Sequence, residues 1–350
     1  MKTGKTLVQL ATELERQSTA KKDFVASTSV LEMTPEGELT LESDTTSNEF
    51  PVTDHCHTQI AARLEIPAKY YNRMQKEAPE LLAANVNNWF HHKPERRMIR
   101  TLDGQARAFL SDRYRRLDHF DLAEAVLPIL GEMGEGIQIV STELTDSRMY
   151  IKAINRRLEL EVKPWDVVQA GIAISNSEIG LGALRVEPLI YRLICSNGMI
   201  SQDYSKKQYH VGRNAEEGES YELFRDETLL ADDRAFFMKV QDTVRAAVDV
   251  AKFSTIVERM REATEQKIEG NPVKAVEMVS QKFGFSQPES GGVLQHLIQG
   301  GDLSAYGMLN AITRTSQDVE DYDRATELER DGSRVLSLPA STWKEIALAN

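Results

Sequence analysis

Apolar positions at Leu7, Leu10, Ala11 and Leu14 recur at steps of three and four, which predicts a short amphipathic helix over 6–20. The period then changes to two. Alternation in Ser29–Met33 and Glu38–Glu42 around Pro35-Glu36-Gly37 predicts a small hairpin within 28–43. Helical spacing returns from Thr53, with Thr53 or Asp54 as the capping residue, and Ile66-Pro67 places a proline at the start of a second helix. A third helix is expected from Pro79. Arg96–Leu102 and Gln105–Leu110 then flank Asp103-Gly104, a strong short-range signature of a hairpin.

A helix over 119–130 precedes strand-like runs at 136–144, 148–155, 167–175, 182–195 and 199–211, the last two joined at Ser196-Asn197-Gly198. Short connections between consecutive strands predict an antiparallel sheet. Beyond Gly212 the period is 3.6 again. Phe237, Val240, Val244, Ala247 and Ala251 mark one long helix over about 220–262, and helices follow from Asn271-Pro272, with Gly284 and Gly291-Gly292 as punctuation, and over 303–316 and 319–330. The fold class is α+β: a helical and hairpin N-terminal part (1–50), helices, a basic hairpin and a central antiparallel sheet (51–212), and a helical region (213–350).

Composition sets bounds on this scheme. The chain has 350 residues, 41% of them hydrophobic, enough to bury a sizeable core. Two cysteines exclude a disulfide scaffold, and the polar first residues predict no secretory leader. No apolar run reaches the roughly 18 residues that a membrane span requires, so a cytoplasmic location is expected. With 42 Lys+Arg against 54 Asp+Glu the net charge is −12, which by itself speaks against nucleic acid.

Resolving the charge along the chain changes that conclusion. Between His91 and Arg116, Lys93, Arg96, Arg97, Arg100, Arg107, Arg113, Arg115 and Arg116 face three acids, a local +5 that leaves −17 elsewhere. Trp89, Phe90, Phe109 and Tyr114 are interleaved with them, and Tyr204, Lys206, Lys207 and Tyr209 form a second basic and aromatic patch. Guanidinium groups for phosphates and ring planes for bases are the ingredients of a single-strand groove. The competing reading pairs these arginines with the chain's many carboxylates as salt bridges.

Arg192 lies in the apolar run Leu189–Cys195, where it either meets a carboxylate or points at an anionic ligand, and Asn197 is read as the turn residue after it. Cys195 reads as an inert strand thiol. Tyr306, Leu309, Asn310 and Thr313 share one side of a helix, read as core packing with one buried hydrogen-bond network. His55-Cys56-His57 and His91-His92 hold potential ligands, but i and i+2 on a helix point about 200° apart, so no metal site is expected. Neither a nucleophile elbow nor a phosphate-binding glycine fingerprint occurs, and no catalytic residue and no cofactor are expected. Eight acids crowd 216–233.

Six pieces together resemble the phage/plasmid-like family named domain of unknown function 932: Ile66–Tyr71, Asn87-Asn88-Trp89, Arg97–Gly104, Arg107–Arg115, Cys195–Gly198 and Leu309–Thr313, spanning roughly 50–330. The resemblance implies a phage, prophage or plasmid origin and no activity. The order of antiparallel strands followed by a long helix is similar in layout to single-strand annealing recombination proteins, which assemble side by side on nucleic acid. The leading expectation is an oligomeric single-stranded-DNA-binding or annealing protein whose partners are single-stranded DNA and further copies of itself. The alternatives are a counter-defence factor that meets a host protein through its acidic surface and a metal-dependent nuclease.

Overall fold

The computed structural model describes residues 1–42, 47–201, 206–208, 226–247 and 249–350. The expected strand end after 208, Tyr204, Tyr209 and the acidic stretch up to 225 lie outside the described residues. Helix α1 (Leu7–Ala20) starts at a capping box in which Thr6 and Gln9 satisfy each other's backbone N–H groups. Strand β1 (Lys22–Ser27) follows, then β2 (Leu31–Met33), β3 (Glu38–Glu42) and β4 (Ser47–Pro51), which pair in the order β2-β3-β4. Helix α2 (Asp54–Arg63) is capped by Thr53, whose hydroxyl accepts from the Cys56 N–H. Helices α3 (Ala68–Glu77) and α4 (Pro79–His92) lead to β5 (Arg96–Leu102) and β6 (Gln105–Ser111). Asp103 and Gly104 both take positive φ, +51° and +79°, the conformation that a two-residue hairpin turn requires. β1 adds to the other edge of β5, which makes the basic hairpin's first strand the centre of a sheet β1-β5-β6.

Helix α5 (His119–Glu132) precedes the main sheet: β7 (Ile137–Leu144), β8 (Met149–Lys163), β9 (Asp166–Asn176), β10 (Leu184–Arg192) and β11 (Asn197–Ile200), paired antiparallel in chain order. β12 (Lys206–Gln208) shares the outer edge of β10 with β11. Pro188 sits where β11 has ended and β12 has not begun. Its carbonyl accepts from the Ser201 N–H just past the end of β11, so the N–H that proline lacks falls outside the paired strands of that edge.

The single long helix expected over 220–262 is two, α6 (Asp226–Ala247) and α7 (Val250–Glu265), and Asp249 restarts the chain by accepting from the Lys252 N–H. An Asp cap inside an otherwise periodic run is the physical reason. α8 (Pro272–Phe283) begins at Asn271 and ends at Gly284, whose φ of +74° closes the helix. Gly291 and Gly292 do not punctuate: they lie inside α9 (Gln287–Gly300), where Gly292 lets Thr315 approach. α10 (Ala305–Thr315) and α11 (Tyr322–Val335) stand as expected, and α12 (Ala340–Ala347) completes the chain.

Among the described residues three larger apolar cores and two small ones result. Leu31, Met33 and Leu39 pack with Cys56, Ile60, Phe90 and Phe109, so one core takes in residues on both sides of position 50. Leu10, Leu122, Val126, Val240 and Val244 cover Met149, Ile172 and Val186 at one end of the main sheet. The C-terminal helices cover Val168, Ala170, Ile190 and Met199 at the other. α10 is held close to the preceding loop: a Cβ on Gly307 would fall 1.6 Å from the Asp302 carbonyl oxygen. Gly307→Ala is expected to cost about 1–3 kcal/mol, read as a lower urea midpoint at unchanged slope. A midpoint equal to the parent's would show that the loop yields freely.

Candidate nucleic-acid interface

The basic hairpin divides into interior and surface members. Arg100 is 0% exposed: its guanidinium donates to Asp23 at 2.9 Å, to Asp118 at 2.6 Å and to the Glu178 carbonyl at 3.1 Å. Burial opposes its charge, yet Asp118, Asp23 and Glu178 outweigh that and raise its pKa. Arg107 is buried against the Glu178 carboxylate. Arg97 pairs with Glu95 and lies over the Phe109 ring. These three were expected among the phosphate contacts, and the structure corrects that: they lie in the covered part of the sheet β1-β5-β6, and all three guanidinium groups are spent on carboxylates. Burial by itself would raise the Glu178 carboxyl, but the His119 imidazole, Arg107, Lys21 and Arg100 hold it well below the usual range.

Arg115 pairs with Asp232 and lies 4.4 Å from the Phe236 ring centroid, and Arg116 reaches Asp23 at 3.4 Å. Tyr114 is partly buried, its hydroxyl donating to the Ser177 carbonyl, so its ring is not presented to solvent as a stacking plate. Trp89 is exposed and packs edge-on against His92. Arg96 and Arg113 are exposed and pair with no carboxylate among the described residues.

Arg192 meets a carboxylate: it grips Asp166 with two bonds of 2.7 and 2.6 Å, and Tyr306 donates to the same carboxylate. Asn197-Gly198 does not form the turn. Residues 193–196 do, with Ser196 at φ +50°, and Asn197 opens β11. Freed from the turn, its buried side chain donates to Thr313 and toward Asn310, the hydrogen-bond network anticipated for that face of α10. Cys195 is in the turn, partly exposed, its sulfur accepting from Arg192 at 3.4 Å, and not in a strand. His55 and His57 bond to the Ile179 carbonyl and to Tyr71, and Cys56 is a buried thiol pushed up to about 12 by desolvation.

A basic site that the sequence did not disclose lies between the main sheet and α11. A cleft of about 480 Å³ is lined by Arg148 on the β7–β8 turn, Arg185 on β10, and Arg324, Arg330 and Arg334 on α11, with Glu327 and Asp331 as its acids. Arg330 is anchored to the buried Glu187 at 2.7 Å and to Ser175. Arg324 is held by Glu289, Arg334 by Asp331 with its guanidinium 4.2 Å from the Phe283 ring centroid, and Arg148 by the Leu181 carbonyl. Each anchor occupies part of a five-donor fork and leaves N–H groups for a ligand. Arg185 pairs with no carboxylate among the described residues, and it is the register partner of Lys207. The backbone of Lys206 and Lys207 therefore runs beside this cleft. The missed residues come from positions 148, 185 and 324–334. Only Arg324, Arg330 and Arg334 carried a sequence signal, and their alternation with acids reads as a solvated helix face.

Among the described residues no three His, Cys, Asp or Glu side chains are grouped to hold a metal ion, and no helix is long and apolar enough to cross a membrane. A family model described as a domain of unknown function, DUF932, matches residues 107–338. The match starts inside the basic hairpin and takes in the main sheet and the whole arginine-lined cleft. The pieces at 66–71, 87–89 and 97–104 precede it. No curated protein and no solved structure matches the chain.

Proposed function

Starting from the premise that the chain belongs to the domain of unknown function 932 family, we propose that it binds single-stranded DNA, with the cleft between the main sheet and α11 as the phosphate site. The observation that supports this reading is the convergence of five arginines on one cleft in a chain of net charge −12. Guanidinium forks match phosphate oxygens two at a time, and each phosphate neutralised releases condensed counterions. Arg148, Arg185 and Arg334 contact the strand, while the better-buried Arg330 fixes the floor. The backbone of Lys206 and Lys207 pairs along the outer edge of β10 next to the cleft, and the exposed Arg96 and Arg113 are available to a longer strand. The acidic remainder repels any polyanion that does not enter the cleft, which favours a thin single strand over a wrapped duplex.

The test is fluorescence anisotropy of a labelled oligonucleotide across a salt series. At about 50 mM salt the double variant Arg185→Glu/Arg334→Glu is expected to bind at least tenfold more weakly, with a salt slope shallower by about 2. No binding by the parent chain at that salt, or equal binding by the double variant, refutes the proposal.

A further inference from the structure

The far ends of the strands that carry the cleft form a second feature. The β8–β9 turn presents Trp165 at 87% exposure, and the β10–β11 turn presents Leu193 and Ile194 at 43% and 59%. The two turns are neighbours, since the Leu193 N–H donates to the Val167 carbonyl. Trp165 also has φ +69°, a conformation that costs a bulky side chain free energy, and its N–H is pinned by the Glu161 carboxylate at 2.7 Å. The fold thus holds a large ring in water at an energetic cost while burying little of it.

Beside this tip the same turns contribute Lys163, Arg192 and Cys195 to a cavity of about 240 Å³, whose opposite wall is His296, Asn310 and Arg314 on α9 and α10. Lys163 is anchored to Asp302 at 2.6 Å yet partly exposed, two residues before the tryptophan. The charged groups of this lining, Lys163, Arg192 and Arg314 against the single carboxylate of Asp302, are net positive beside its apolar part, Leu297 and Ala311, which suits an anionic partner better than a purely apolar one. An exposed indole beside such donors matches one chemistry, a nucleobase with its phosphate.

We propose that the Trp165 tip is a base-stacking contact for the same single strand, the indole covering a base and Lys163 meeting the adjoining phosphate. This rests on the single-strand reading above and adds a second contact at the opposite end of β10. Arg185 and Arg192 lie near the two ends of β10, seven residues or about 23 Å apart and on opposite faces of the sheet, so the cleft and the tip engage separate segments of a bound strand.

Because Trp165 packs against little, its removal leaves the fold intact. With a labelled oligothymidylate at about 50 mM salt, Trp165→Ala is expected to weaken binding about tenfold with an unchanged salt slope, because stacking releases no counterions, and Trp165→Phe to bind within about twofold of the parent. If Trp165→Ala binds as the parent does while Arg185→Glu/Arg334→Glu is impaired, the stacking contact is refuted and the cleft stands. If Trp165→Ala instead shifts the size-exclusion volume of the DNA-free protein, the tip is a self-association surface and the inference falls. A parent chain that binds no strand removes both.

Discussion

Glu329→Ala is expected to cost about 3–5 kcal/mol and to lower the urea midpoint more than any other single change considered for this chain. Lys152 on β8 and Glu329 on α11 are both fully buried, and their 2.7 Å ion pair is the polar peg between the main sheet and α11. Lys152 also donates to Thr326 at 3.0 Å and stands 4.6 Å from the Tyr322 ring centroid. Burial lowers its pKa, and Glu329 is the group that counters this. Removing the carboxylate strands an ammonium in the interior, whereas replacing both partners removes the desolvation cost along with the attraction. The double variant Lys152→Met/Glu329→Leu is accordingly expected to recover most of the loss. A single-variant cost under about 1 kcal/mol, or a double variant no better than Glu329→Ala, would show that the pair does not hold the helix. Since α11 carries Arg324, Arg330 and Arg334, the single variant should lose the cleft together with its stability, and the double variant should regain both.

The second large effect is acid lability from His119. This residue opens α5 in the interior, where Asn176 donates to its Nδ1 at 3.2 Å while the same amide donates to the Leu117 carbonyl. An imidazole that accepts at Nδ1 is neutral, with its proton on Nε2. Desolvation pushes its pKa from 6.5 down to about 4, against the opposing pull of Glu178. The unfolded chain takes up this proton near pH 6.5 and the folded chain does not until about pH 4, so stability falls with pH across that window, by roughly 3 kcal/mol at its lower end. Glu178 and Asp118, both held below their ordinary values, extend the loss below about pH 4.5, because the folded chain then keeps them ionised while the unfolded chain protonates them. Urea midpoints of the parent and of His119→Gln at pH 7, 6, 5 and 4 check this. The variant's midpoint should change less between pH 6.5 and 4, and parallel profiles would refute His119 as the source.

His119 also shows where sequence reading stops. It was unremarkable in the chain, one polar residue at the start of an amphipathic helix, and Glu178 was one acid among many. Folding brings them together with Lys21, Arg100 and Arg107 across about 160 positions. The basic hairpin was legible as a hairpin because Asp103-Gly104 encodes its turn locally. That β1 would cover its other edge and take Arg100 into the interior was not, since the pairing of residues 22–27 with 96–101 is a long-range event.

The sequence by itself determined the local elements of this protein: the start of α8 at Asn271, the Gly284 terminus, the Asp103-Gly104 hairpin, the antiparallel order of the main sheet and the α+β class. Each follows from side-chain period, capping geometry or a positive φ, all of which act over a few residues. Only the tertiary structure decided which charges are spent and which are presented. Arg97, Arg100, Arg107 and Arg192 neutralise carboxylates, whereas Arg148, Arg185 and three arginines of α11 are gathered from three distant segments into one cleft. The physical reason is that a guanidinium group's role depends on what lies within about 4 Å of it, and in a chain of 350 residues that neighbourhood is set by strand pairing and helix docking, not by adjacent positions.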